Sequence, residues 1–252
     1  MKVIDCVTYN GEKELFEIRY NILKDFVDEF IVVEFDKTFS GKSKESLFLR
    51  DFGALKGVAY HWHTEKTYSK YKELAENSPN TKGAEHWKTE FMMKESIKDA
   101  LIAMELKDDD IVFIGDCDEI WEPEIIGLQA KLRLRVYAYY LNNLSNEQFY
   151  GTITLPYKHI KNECLNHLRS NMTKDDHYSG WHFTSMHHQL EKKLTDSYTK
   201  ESYATDEVMA NLKDNIEKNK DFLGRNFTYK VDETDWPSWL KENRTRYLHL
   251  LK

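Results

Sequence analysis

Two aspartates separated by one residue are the clearest candidates for chemistry in this chain. Asp116 and Asp118 follow the apolar run Ile111–Ile114, with Gly115 at the junction. If the backbone stays extended, residues i and i+2 point to the same side, so the two carboxylates face one point in space. Carboxylate oxygens suit Mg²⁺ or Mn²⁺, and such a cation bridges a diphosphate and neutralises a departing phosphate. The motif therefore predicts a metal and diphosphate site, with Gly115 letting a ligand approach the backbone.

Two other interpretations of this acidic motif stay open. A solvated acidic turn after a strand has the same composition. Phosphatases of the haloacid dehalogenase type also place Asp-x-Asp after a strand, but usually after the first strand of the chain. Here the motif lies beyond residue 110, and Asp118 is followed by Glu119 and Ile120, which disfavours the phosphatase without excluding it.

Apolar patterning indicates the elements that must position these acids. Lys2–Thr8 and Phe30–Glu34 are typical of buried strands, and Leu15, Ile18, Ile22 and Phe26 between them share one face of a helix. Strand, helix and strand within about 30 residues form a βαβ unit. In such an α/β sheet, ligands gather at the carboxyl ends of the strands, which is where the acidic motif lies.

The rest of the chain alternates between helical and strand-like segments less regularly. We expect a long functional loop at 36–57, a strand at Val58–Trp62, an irregular or mobile segment at 64–83 and one helix at Glu85–Leu106. Further along we expect a helix start near Pro123, strands at Leu132–Leu141 and Phe149–Leu155, and helices at roughly 186–200 and 205–222. The two later strands break the βα rhythm, so the pattern predicts an α/β fold with a mixed sheet. The tail 227–252 carries Trp236 and Trp239 and should pack on the domain.

The composition restricts the class of protein. The chain has 252 residues, enough for one large α/β domain or two small ones, and a formal net charge of -7. That charge argues against general nucleic-acid binding. It does not exclude an anionic small substrate, because a metal and a few local cations can make the potential inside a cleft positive. The three cysteines are scattered and imply no disulfide framework. No signal segment and no run near ~18 apolar residues is found, so we expect no membrane span and a cytoplasmic location.

Four blocks of sequence occur in an order found in a known family. They are 15–42, with VDEFIVVE and TFSGK after a helix carrying Arg19; 86–90, HWKTE; 109–120, DDIVFIGDCDEI; and 180–183, GWHF. By their order and spacing the chain resembles glycosyltransferase family 17, the family of the bisecting β-1,4-mannosyl-glycoprotein N-acetylglucosaminyltransferase. One departure is Trp121, where the family usually has proline.

The resemblance implies a fold, a donor and a reaction. The fold is a GT-A-like, Rossmann-type mixed sheet flanked by helices in a single domain, 1–252, with a nucleotide-sugar-binding half, 1–120, and an acceptor-side half with C-terminal helices, 121–252. The cofactor is Mn²⁺ (or Mg²⁺), and the donor is a UDP-sugar, with UDP-N-acetylglucosamine as first candidate. Transfer would proceed with inversion to a glycan or another hydroxyl acceptor.

Under this hypothesis, the motif residues receive separate roles. Asp118 is the first choice for direct metal ligation, Asp116 for the metal or the donor ribose, and Glu119 for orienting them. His182 would complete the metal shell or contact the diphosphate, and Trp181 would stack on a sugar. The alternative for the last two is a packed tryptophan and a hydrogen-bonded histidine on a strand.

Residues near the second strand supply further candidates. Glu34 would accept a hydrogen bond from the nucleotide base or ribose. Lys42 and Lys44 would reach the donor phosphates, or else lie in a solvated loop. Arg19 should pair with an acid, such as Glu34 or Asp28, rather than with phosphate.

The catalytic base should be a carboxylate on the acceptor side. Asp206 and Glu207 are the candidates, although Asp206 also suits a helix start, where the dipole favours negative charge. Two other functional classes stay open on the residues alone. One is a metal-dependent phosphotransferase or nucleotidyltransferase, and the other is a non-catalytic carbohydrate-binding protein whose aromatic residues stack on sugars.

Overall fold

A mixed sheet runs through the computed structural model, which describes residues 1–81, 85–197 and 203–252. Its strands are β1 (Val3–Thr8), β2 (Glu29–Phe35), β3 (Val58–His63), β4 (Ile111–Asp116), β5 (Glu119–Trp121), β6 (Ala130–Ala138), β7 (Asn143–Pro156), β8 (Lys174–Thr184) and β9 (Tyr229–Val231). They lie in the order β3-β2-β1-β4-β7-β6-β8-β5, with β9 paired to β7. Strands β1 to β4 pair in parallel, whereas β7 is antiparallel to both β4 and β6. The predicted α/β fold with a mixed sheet is confirmed.

Helices flank this sheet. They are α1 (Lys13–Leu23), α2 (Leu47–Phe52), α3 (Glu65–Tyr68), α4 (Lys72–Asn77), α5 (Glu85–Glu95), α6 (Ile97–Ala103), α7 (Leu165–Asn171), α8 (Leu190–Ser197), α9 (Asp206–Glu217) and α10 (Ser238–Glu242). Short 3₁₀ helices occur at Ser69–Tyr71, Pro79–Thr81, Pro123–Ile125, Tyr157–His159 and Arg244–Leu250. The βαβ unit of β1, α1 and β2 is therefore as predicted, except that α1 ends at Leu23 and leaves Phe26 exposed beyond it. Pro123 begins a helix, though a short one.

The segment predicted to be irregular, 64–83, was interpreted wrongly. It contains α3 and α4, and α3 begins at a capping arrangement in which the Thr64 amide donates to Thr67 Oγ1 at 2.9 Å. Such a cap is a local signal that apolar periodicity does not report. Residues 82 and 83 lie outside the described residues, as do residues 198–200 of the helix predicted at 186–200.

The long helix predicted at Glu85–Leu106 is divided in two. The break lies at Ser96, whose hydroxyl donates to the Met93 carbonyl at 2.7 Å. A serine hydroxyl that bonds to the preceding turn competes with the helical hydrogen bonds. The functional loop predicted at 36–57 likewise contains a regular element, α2, which begins after Ser46.

Both faces of the sheet are buried. On β4, Ile111 and Phe113 pack with α1, whereas Val112 and Ile114 pack with α6 on the other face. Because both faces of β4 are buried, its sequence is continuously apolar and does not alternate between apolar and polar residues. The C-terminal tail joins the first face through Trp236, Leu240, Tyr247 and Leu250, as predicted. Across the described ranges, none of the helices is both long and apolar enough to cross a bilayer.

Candidate active site

A cavity of about 760 Å³ opens at the carboxyl ends of β1, β2 and β4. Its walls include 8–12 after β1, the turn 116–119 after β4, 182–186 at the end of β8, and part of α8. We refer to it as the central cavity. Its volume is within the ~300–1,000 Å³ typical of small-molecule sites. Its position is the ligand-binding edge expected of an α/β sheet.

The central cavity is richer in positive charge than the chain as a whole. Its cationic lining residues are Lys37, Lys44, Arg50, Lys94, Lys192, Lys193 and Arg225, and its acidic lining residues are Glu12, Glu90, Asp116, Asp118, Glu119 and Glu147. Cations therefore outnumber acids here, although the chain carries a net charge of -7. A cleft with this lining can hold an anion in an acidic protein.

A buried ion pair holds the turn between β4 and β5. Arg19 binds both carboxylate oxygens of Asp5, at 2.6 and 2.5 Å, and its other nitrogen donates to the carbonyls of Asp116 and Glu119 at 3.3 and 2.5 Å. Trp121 also donates to Asp5, at 2.8 Å. Arg19 therefore pairs with an acid, as expected, but the acid is Asp5 rather than Glu34 or Asp28. Because β4 ends at Asp116 and the next two residues form a turn, the assumption of an extended backbone through the motif was also wrong.

Asp116 faces a cluster of donors on three elements. Its Oδ1 accepts from Thr8 Oγ1 at 3.1 Å, and its Oδ2 lies 3.2 Å from Lys94 Nζ and 3.5 Å from Arg169 Nη1. Burial alone would raise the pKa of Asp116, but Lys94 and Arg169 outweigh it and hold the pKa well below its usual range. This carboxylate is therefore ionised at neutral pH.

Asp118 faces a different set of partners. Its Oδ2 accepts from Lys193 Nζ at 2.9 Å and lies 3.5 Å from His182 Nε2. Its backbone carbonyl accepts from Phe183 at 2.9 Å, which fixes the turn beside β8. Against the effect of burial, Lys193 and His182 hold the pKa of Asp118 far below its usual range. The imidazole of His182 is stacked on Phe149, with ring centroids 4.0 Å apart.

Asp118 and His182 form the pair that best fits a divalent cation. Both line the central cavity, and His182 Nε2 lies 3.5 Å from Asp118 Oδ2. Asp116 pairs with Lys94 and Arg169 instead. Among the described residues, no three His, Cys, Asp or Glu side chains form a metal-binding group. Ions such as Mg²⁺ often bind through one or two carboxylates together with substrate phosphates. The pair therefore fits an ion shared with a diphosphate, but the predicted set Asp116, Asp118 and His182 is not a closed ligand shell.

Glu119 contacts the backbone of the turn that it was expected to orient. It accepts from the Asp116 amide at 3.2 Å and from Arg169 at 3.0 Å. A Cβ on Gly115 would lie 2.8 Å from Glu119 Oε2 and 2.1 Å from Thr152 Oγ1. Gly115 is therefore required for the close approach of protein side chains, and the prediction that it makes room for a ligand does not hold.

Three residues predicted to bind the donor lie outside the central cavity. Glu34 is fully buried and accepts from Lys44 Nζ at 3.0 Å and from two amides of α2. Lys42 is exposed and donates to the Thr195 carbonyl at 2.8 Å. Trp181 belongs to the hydrophobic core, and its indole donates to the Asp235 carbonyl at 2.5 Å. The packing alternative therefore describes Trp181 correctly.

The predicted catalytic bases also lie away from the cavity lining. Asp206 and Glu207 are exposed in the first turn of α9, where Thr205 Oγ1 accepts from the Val208 amide at 3.2 Å. Their position is that of a capped helix start with favourable dipole charge, the alternative given for Asp206.

The sequence interpretation missed the cations that neutralise the motif, Lys94, Arg169 and Lys193, because they lie on helices remote from it in sequence. It also missed Glu12, which lines the cavity after β1. Burial raises the pKa of Glu12, and the nearby charge of Asp118 adds to the effect, while hydrogen bonding from Asn10 opposes it. The only sequence signals were the block 86–90, which lies beside Lys94, and the adjacent lysines at 192 and 193.

Comparison with known proteins places this cavity in a family context. The model of glycosyltransferase family 17 matches residues 1–196, which include the motif, His182 and Lys193. A solved structure, that of mouse xyloside xylosyltransferase 1 in its apo form, is similar over 67% of this chain and 71% of that chain, with 8% sequence identity and a TM-score of 0.33. No curated protein matches the chain.

Proposed function

Because the chain belongs to glycosyltransferase family 17, we propose that it transfers a sugar with inversion from a UDP-sugar, UDP-N-acetylglucosamine first, to a hydroxyl of a glycan or another acceptor. The observation that carries this proposal is the central cavity, where Asp116 and Asp118 follow a parallel strand among seven lysines and arginines. A donor diphosphate is an anion that this lining suits. The four neighbouring parallel strands, β3-β2-β1-β4, support a GT-A-like nucleotide-binding half.

The side chains have separable roles in this proposal. A bound Mn²⁺ or Mg²⁺, held by Asp118 and His182, would supply positive charge that stabilises the departing diphosphate. Lys193, which also donates to Thr184 at 3.2 Å, is placed to exchange its contact with Asp118 for a diphosphate oxygen. The buried pair of Asp5 and Arg19 keeps the turn in place without rearrangement, which is the preorganisation that transition-state stabilisation needs.

Thermal unfolding with a panel of nucleotide sugars tests the proposal. We expect UDP and UDP-N-acetylglucosamine to raise the unfolding temperature more than GDP- or CMP-sugars do, and the increase to need Mn²⁺ or Mg²⁺. Ligands that bind the native state alone stabilise it by mass action. A chain that responds to no nucleotide sugar at any metal concentration would contradict the proposal.

The same panel separates the two other functional classes. Hydrolysis of a simple phosphate ester without any response to nucleotide sugars would indicate a phosphotransferase or nucleotidyltransferase. Stabilisation by a free glycan without metal or nucleotide would indicate a carbohydrate-binding protein. If transfer is observed, the anomeric proton signals of donor and product report whether the configuration is inverted.

A further inference from the structure

A second, smaller recess of about 220 Å³ adjoins the central cavity. We call it the side recess; it is lined by Thr81, Trp87, Glu90, Phe91, Lys94, Asn166, Arg169 and Ser170. Trp87, Glu90 and Lys94 line both spaces and form the boundary between them. The side recess is smaller than the ~300–1,000 Å³ typical of whole-ligand pockets, so it suits a single ring.

The far wall of the side recess is fixed by a buried acid. Glu95 is fully buried, and its carboxylate accepts from the amides of Leu165 and Asn166, at 3.2 and 3.3 Å, and from the Asn166 side chain at 3.0 Å. These contacts hold the start of α7 against α5. The same helix carries Arg169, which reaches Asp116 and Glu119. The side recess is therefore connected through α7 to the turn at 116–119.

The lining of the side recess has the mixed character of a sugar site. Trp87 and Phe91 provide apolar ring surface, whereas the polar side chains of Asn166, Arg169 and Ser170 are bonded within the protein and give the recess a polar edge. A pyranose presents both an apolar face and a set of hydroxyls, which such a lining complements. Lys94 lines the recess and lies 3.2 Å from Asp116 Oδ2, so a ring bound in the recess would lie next to the central cavity.

Glu90 lies at the junction of the two spaces. Its Oε1 is 2.8 Å from Lys94 Nζ, and the same ammonium is 3.2 Å from Asp116 Oδ2, so one lysine bridges the two carboxylates. Among the described residues that line the central cavity, Glu90 is the only acid that also lines the side recess.

We propose, on the basis of the proposed function, that the side recess binds the acceptor pyranose and that Glu90 is the catalytic base. The acceptor hydroxyl oxygen forms a bond to the anomeric carbon of the donor. The bond from that carbon to the phosphate oxygen breaks, and its electron pair leaves with the nucleoside diphosphate. The hydroxyl proton passes to the Glu90 carboxylate. Lys94 and Arg169 neutralise the acids that surround this transfer.

Release of UDP from UDP-N-acetylglucosamine, with and without added methyl pyranosides, tests the role of Glu90. Glu90→Gln keeps the shape of the side chain and an oxygen for Lys94 but cannot take the proton. We expect it to lower kcat by about 100-fold or more, which is the usual contribution of a general base. Glu90→Asp should restore part of the rate. The rival candidate serves as the control, because Glu207→Gln should keep the wild-type rate.

Ser170→Trp tests the acceptor site separately, because an indole would fill the recess and exclude a ring. We expect the KM for the methyl pyranosides to rise by about tenfold or more through steric exclusion. A UDP-dependent rise in unfolding temperature shows that each variant is folded with its donor site intact.

The results divide clearly between the two proposals. If Glu90→Gln turns over like the wild type, or if Glu207→Gln is the inactive variant, the assignment of the base is overturned. If no pyranoside accelerates UDP release, or if Ser170→Trp leaves the acceptor KM unchanged, the assignment of the recess is overturned. A wild-type chain that neither binds UDP nor releases it from the donor would overturn the proposed function itself.

Discussion

Two acids near the same edge of the sheet, Glu34 and Asp118, have different surroundings. Glu34 is fully buried and accepts from the amides of Leu47 and Phe48 as well as from Lys44. Asp118 lines the central cavity, where the long side chain of Lys193 and the imidazole of His182 meet its carboxylate. A carboxylate satisfied by fixed amides has no capacity left for a ligand. A carboxylate that is neutralised by a long lysine side chain, as Asp118 is by Lys193, can exchange the lysine for a metal cation when a ligand binds. Mutation of Asp118 should therefore reduce activity, whereas mutation of Glu34 should reduce stability.

The largest expected effect is the loss of activity in Asp118→Asn. The substitution keeps the size of the side chain but removes the charge proposed to hold the cation, so we expect kcat/KM to fall by about 10³-fold. The Mn²⁺-dependent rise in unfolding temperature with UDP should also disappear. Near-wild-type unfolding without ligand is the control, and retained turnover of the UDP-sugar would refute the role.

The opposite result is expected at Glu34. A glutamine at position 34 has one acceptor oxygen, so it cannot replace the carboxylate that binds the Leu47 and Phe48 amides and Lys44. The substitution also leaves the nearly buried ammonium of Lys44 without a negative partner. We expect the free energy of unfolding to fall by about 3 kcal/mol, as for other broken buried pairs, measured by urea denaturation. The folded fraction should still bind UDP. A stable Glu34→Gln variant with weakened UDP binding would show that Glu34 is a ligand-binding residue after all.

The same contrast explains what the sequence could predict. The βαβ unit, the strand before the acidic motif and the mixed sheet depend on local apolar patterning, and all were found. The partners of the acids depend on tertiary packing. Lys94 and Lys193 lie 22 and 75 residues from the aspartates they neutralise, on helices whose orientation no local pattern reports. The roles of Glu34 and Asp118 could therefore not be distinguished before their neighbours were known.

One error could have been avoided from the sequence alone. Trp181 and His182 were both assigned to the ligand, yet neighbouring residues on a strand point to opposite faces of a sheet. In the structure His182 lines the cavity, and Trp181 packs in the core. The alternation along β8 therefore allows one of the two to contact a ligand, and the sequence did not indicate which.

Trp181→Phe sharpens this distinction with a smaller effect. The substitution removes the hydrogen bond to the Asp235 carbonyl and part of a buried ring, so we expect a loss of about 1–2 kcal/mol in unfolding free energy. Because the ring faces away from the cavity, KM for the donor should not change. Urea denaturation and steady-state kinetics measure the two quantities, and a raised donor KM at unchanged stability would restore the stacking role.

The smallest expected effect is on UDP binding by two lysines, Lys42 and Lys193, whose importance for the diphosphate the sequence did not distinguish. Lys42 donates to the Thr195 carbonyl outside the cavity lining, whereas Lys193 lies on the cavity wall against Asp118. Lys193→Met should weaken UDP binding about five- to tenfold, roughly 1 kcal/mol, since Lys193 is partly exposed and its charge is screened. Lys42→Met should stay within about 0.5 kcal/mol of the wild type, as is usual for surface substitutions. Titration calorimetry with UDP at low and high salt measures both. If Lys42→Met weakens UDP binding and Lys193→Met does not, the diphosphate binds at the loop that carries Lys42 and not at the cavity wall beside Asp118.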